Sequence, residues 1–130
     1  MRYLMYIKSD ENHRPLSPPD PKLMAAMETY VTKMVAKGVV VITGGLGPSQ
    51  QATRFVAEGG TLARVDGPFA EAKELIGGFA IVDAESHEQV LEWGREFMKV
   101  HMDTLGPSWR GVSEIFPIYG SDDFMPAKKR

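Results

Sequence analysis

The segment Asp66-Gly67-Pro68-Phe69 sets the tightest limit on how this chain can run. Pro68 fixes its own φ and drives the residue before it away from helical angles. Asp66 is therefore expected to close an extended segment at a forced turn. Upstream, Thr53 to Glu58 and Thr61 to Asp66 alternate about Gly59-Gly60, the pattern of a β-hairpin with a two-residue turn. That turn sets Glu58 opposite Thr61, Phe55 opposite Arg64 and Thr53 opposite Asp66. Phe55, Leu62, Arg64 and Asp66 then share one face, because opposed residues point the same way. Downstream, Ile76 to Asp83 reads as a further strand, with Gly77-Gly78 marking a bulge or a close backbone approach.

The remaining elements follow from capping and periodicity. Residues 2–8 form an aromatic and branched strand, followed by a polar loop from Ser9 to Pro19 that carries His13. Asp20 as cap and Pro21 at the first helical position open an amphipathic helix striped by Leu23, Met27, Tyr30, Val31 and Met34. Gly38 stops it. Val39 to Ile42 is a buried strand, and Thr43 to Ser49 is a glycine-rich turn into the hairpin. That turn lacks the Gly-Lys-Ser/Thr ending of a phosphate loop, and Pro48 removes a donor that such a loop would use. Ser86-His87-Glu88-Gln89 has the capping-box pattern. Val90, Gly94, Phe97, Met98 and His101 line one face of the helix it opens. His101 falls in the last turn, where its charged form is favoured. Val112 to Tyr119 is a last strand, and Pro117 argues for an edge or a strand end.

The order β-α-β-(β-β)-β-α-β defines an α+β chain. Without the hairpin it is the split βαβ, ferredoxin-like arrangement: an antiparallel sheet with two helices on one face. Residues 1–120 form one domain and 121–130 a solvated tail. Tyr3, Met5 and Ile7 alternate with Leu4 and Tyr6, as Ala80 and Val82 do with Phe79 and Ile81. Both sheet faces are thus apolar, while two helices cover only one. A second copy of the chain is expected on the other.

A formal charge of −2 gives no basic footprint for nucleic acid. The absence of cysteine excludes disulfides, thiolate nucleophiles and cysteine zinc sites. No two histidines have a zinc-like spacing and no carboxylate cluster resembles a calcium loop, so no metal or cofactor is expected. The apolar start is too short for a membrane span or a secretory signal. A cytoplasmic protein without membrane or nucleic-acid partners is the expectation.

The nine residues Asp66-Gly67-Pro68-Phe69-Ala70-Glu71-Ala72-Lys73-Glu74 resemble the signature of the YCII-related, or DGPF-domain, family. Ala72 stands where a threonine is common in that family. The proline-rich loop before the first helix and the basic tail also depart from its pattern. The resemblance implies a ferredoxin-like fold that pairs sheet to sheet as a dimeric α/β barrel, with no assigned activity. Related barrels include isomerases and a dehydrochlorinase, which points to cofactor-free proton transfer of isomerase or lyase type in a small-molecule cleft. The alternative it implies is a regulatory or interaction protein, because genes of the family often lie beside those of extracytoplasmic-function sigma factors.

Asp66 is the first catalytic candidate. Its competing role is to cap its own turn by accepting backbone N–H groups near residues 68 and 69. His13 is the second, since a His-Asp pair can move a proton when the two lie within hydrogen-bond reach. Arg64, two residues before Asp66 on the same face, is placed to pair with it or to bind an anion. Phe69, Glu71 and Lys73 complete the candidate ligand-binding set.

Overall fold

The computed structural model describes residues 1–9, 20–69 and 75–120, so His13, Glu71, Lys73 and the C-terminal tail lie outside the described residues. The elements are β1 (Arg2–Ser9), α1 (Pro21–Ala36), β2 (Val40–Gly45), β3 (Thr53–Glu58), β4 (Thr61–Asp66), β5 (Leu75–Asp83), α2 (His87–Leu105) and β6 (Val112–Pro117). Four strands form one antiparallel sheet in the order β2-β5-β1-β6, and β3 and β4 form a separate two-stranded sheet. β5 sits between β1 and β2, and β1 between β5 and β6. Two split βαβ units therefore interlock, which is the ferredoxin-like arrangement with a hairpin inserted.

Local chemistry fixes each helix end. The Asp20 carboxylate accepts from the Lys22 N–H at 2.8 Å and Pro21 takes the first helical position. Gly38, at φ 73°, lets the chain leave α1 in a left-handed conformation that a side chain would resist. At α2 the Ser86 hydroxyl accepts from the Gln89 N–H at 3.1 Å. The return bond is offset by one residue from a regular capping box, because Gln89 Oε1 accepts from the Glu85 N–H.

One face of the sheet carries the core. Tyr3 and Met5 of β1 and Val82 of β5 pack with Met34 of α1 and Val90 and Trp93 of α2. Gly94 lets α2 approach β6, since a Cβ there would come within 2.7 Å of Ile115 Cδ1. The register of β1 against β5 slips between Ile7 and Lys8, whose partners are Gly78 and Ile76. Gly77 is the extra residue of that bulge.

Among the described residues no helix packs on the other face. The register aligns Ile42, Ile81, Leu4 and Phe116 in one row across all four strands. Ile42 and Phe116 are 51% and 49% exposed. The next row is Gly44, Phe79, Tyr6 and Glu114.

His101 departs from its sequence reading. It is buried on α2, in edge contact with Phe97 and stacked on Trp109 at 5.3 Å between ring centroids. Burial pushes its pKa below the usual histidine value, so desolvation outweighs the hydrogen bond to the Phe97 carbonyl that favours the charged form. No helix among the described residues is long and apolar enough to cross a membrane.

Candidate functional site

The hairpin forms in the register its sequence dictates, with Thr53 opposite Asp66, Phe55 opposite Arg64 and Glu58 opposite Thr61. Gly59 and Gly60, at φ 58° and 80°, make the two-residue turn that matches strand twist. At the far end of the hairpin, Asp66 Oδ1 accepts from Arg64 Nε at 2.9 Å and from the Thr53 hydroxyl at 3.3 Å. Both partners share its face, so the contacts need no distortion of the ladder. The Arg64 and Asp66 side chains are 64% and 63% exposed, so the pair is bathed in water and weak by itself.

The turn that follows is held by a different residue. The Phe69 N–H donates to Ser49 Oγ at 3.0 Å, and the Gly67 N–H donates to the Ala52 carbonyl at 3.0 Å. Pro68 has no N–H. Asp66 therefore does not accept from the backbone groups of residues 67 to 69, and the turn-capping role falls to Ser49. Ser49 is 4% exposed and opens a single 3₁₀ turn, Ser49–Gln51, between β2 and β3. Gly67 must be glycine here, because a Cβ would collide with the Ser49 carbonyl. The Gly67–Pro68 peptide is cis. Phe69 is buried, and the Arg54 guanidinium lies 4.0 Å from its ring centroid.

Two signature residues thus dock the turn onto the Ser49 segment: Gly67 and Phe69. The Asp66 carboxylate stands in solvent instead. Of the candidates named from sequence, the structure brings Asp66 and Arg64 together and uses Phe69 for packing beneath Arg54. A cavity of about 20 Å³ is lined by none of them; it lies among Met5, Tyr30, Met34, Val82 and Phe97. It is water-sized and apolar, so it serves packing rather than binding. No cluster of metal-ligating side chains occurs among the described residues.

A second polar cluster was missed from sequence. On the helix-free face, the Tyr6 hydroxyl donates to Glu114 Oε1 at 2.7 Å, and Lys8 Nζ lies 3.0 Å from the same oxygen. Those bonds hold the Glu114 carboxyl below its usual pKa, and the same hydrogen bond pushes the Tyr6 phenol up. The outer phase of β1 (Tyr6, Lys8) was a usable signal. The pairing with Glu114 was not, because it depends on contact between residues 108 apart.

Residues 1–102 match the family model described as the YCII-related domain. A protein of Rhizobium meliloti (strain 1021), itself uncharacterized, is 28% identical over 99 residues, which span 76% of this chain and 75% of the relative.

Proposed function

The chain belongs to the YCII-related family, and from that premise we propose a homodimer with a small-molecule cleft beside Asp66. Its chemistry is cofactor-free proton transfer of isomerase or lyase type, with Asp66 as the proton acceptor. The observation that carries this reading is the division of labour within the signature. Ser49 caps the turn, so the Asp66 carboxylate is free of backbone duty. Arg64 and Thr53 orient it through one oxygen only. A side chain fixed in direction yet open to water suits a proton acceptor. His13 is the candidate partner in the transfer. Homodimerisation is supported by the apolar row of the outer sheet face, which leaves Ile42 and Phe116 about half exposed.

The test is a metabolite screen read by thermal shift on the wild type and on Asp66→Asn. A compound that stabilises the wild type and fails to stabilise the variant supports the cleft. Equal stabilisation of both would place the binding site elsewhere. A second reading, a regulatory protein that engages an extracytoplasmic-function sigma factor, is favoured by a different feature. Phe55 and Leu62 stand 67% and 70% exposed on the same hairpin face as Asp66. Co-purification of a sigma factor, lost on Phe55→Ser, would select that reading.

A further inference from the structure

The passage from α2 to β6 is held by an aromatic stack on a buried titratable ring. Trp109, in the connector of residues 106–111, stacks on His101 with 24° between the planes. A Cβ on Gly111 would collide with the same indole, so the backbone there lies directly against the ring. The Trp109 N–H donates to the Gly106 carbonyl at 3.2 Å, and Gly106 leaves the helix at φ 85°. Residues 107, 108 and 110 of the connector are exposed. His101 itself is 7% exposed, and its Nδ1 lies 2.9 Å from the Phe97 carbonyl. A carbonyl only accepts, so Nδ1 carries the proton of the neutral ring and acid adds a second proton at Nε2. Among the described residues no acceptor meets Nε2.

The charge formed by that proton has no counter-charge. The nearest titratable groups along α2 are Lys99 and Asp103, the connector adds Arg110, and α1 adds Tyr30, whose ring meets Phe97. Lys99, Asp103 and Arg110 are exposed. Among the described residues no charged group shifts His101; burial and the Phe97 bond act on it, and burial prevails. The indole face therefore does not replace the water that an imidazolium needs. Of the two rings against His101, Phe97 belongs to α2 and is buried, whereas Trp109 is half-buried on a short connector. Trp109 is the one that can move without opening the core. We propose that His101 and Trp109 form an acid-opened latch: a proton taken up from solvent at His101 Nε2 drives Trp109 off the ring and releases residues 106–111 while the rest of the fold stays packed. The release bears on the sheet. Val112 begins the edge strand β6 directly beside Lys8, and Glu114 of the same strand bonds Tyr6 and Lys8. Opening the connector frees the entry to that strand, so acid loosens this end of the sheet first.

Amide hydrogen exchange of the full chain, corrected for the intrinsic rate and followed from pH 7.5 to 5, tests it. The opening constant at Trp109 and Gly111 should rise as pH falls, toward a ceiling of about 30-fold for a histidine that titrates near 6.5 once released. His101→Gln, which cannot take up the proton, should hold that constant to within about twofold over the same range. In the wild type these amides should also exchange faster at every pH than those of β1 and β5, whose exposure requires global unfolding. Connector amides that exchange no faster than the core strands, and so only from the unfolded chain, would overturn the latch and leave His101 an effect on global stability alone. A flat response in the wild type, or an equal rise in His101→Gln, would overturn it too. Should His101→Gln not fold, the wild-type comparison of connector with core strands still decides.

Discussion

Replacing Ser49 with alanine should destabilise this protein more than replacing Asp66 with asparagine, although Asp66 heads the signature and Ser49 stands outside it. Ser49 Oγ is the acceptor for the Phe69 N–H in a buried setting, with the residue 4% exposed. Alanine leaves that N–H without a partner and without water, a loss of about 1–3 kcal/mol. For a domain of this size each kcal/mol corresponds to roughly 3–5 °C in melting temperature, so the expected drop is about 3–15 °C. Asparagine at position 66 removes only an ion pair whose side chains are more than 60% exposed, and such pairs contribute about 0–1 kcal/mol. Thermal melting by circular dichroism, at matched protein concentration, compares the two directly. If Asp66→Asn melts lower than Ser49→Ala, the assignment of the cap to Ser49 is wrong and Asp66 is the structural residue.

Two further outcomes follow from the same geometry. Gly67→Ala should lower the melting temperature at least as much as Ser49→Ala, because the added Cβ overlaps backbone atoms of Ser49 rather than a side chain that can move; a wild-type melting curve would show that the turn is not docked there. His101 should make stability depend on pH with a definite sign. Its folded pKa is lowered by burial, so between that value and about 6.5 the unfolded chain binds more protons than the folded one. Its contribution is complete above about pH 6.5 and declines as pH falls toward the folded pKa. Melting temperatures of wild type and His101→Gln between pH 8 and 5 test this: the wild type should show the steeper loss, and parallel curves would refute it.

The parts of the fold that were legible in the sequence were set by local rules. The pair Gly59-Gly60 between alternating segments fixed the hairpin register to the residue, because a two-residue turn allows a single alignment. Asp20-Pro21 and Ser86 marked the helix starts by the same kind of chemistry. Gly77 marked its bulge because an unbranched backbone position within an apolar strand has few other uses. The site was less legible because its contacts cross the chain. Nothing near Ser49 indicates that its hydroxyl will meet the Phe69 N–H twenty residues later. The Asp66–Arg64 pair was visible because i and i+2 share a strand face. His101 was read onto the apolar helix face with Phe97, but its charge state was misjudged because the stacking of Trp109 from beyond the helix was not readable.

The mass of the protein in solution tests the homodimer reading most directly, because pairing of the outer sheet faces requires two copies. Light scattering at micromolar concentration and moderate salt should give twice the 14.4 kDa of the single chain. The apolar row across four strands, buried against its own copy, supplies a driving force of about 25 cal/mol per Å² against the cost of association. A mass of 14.4 kDa at that concentration would contradict the account.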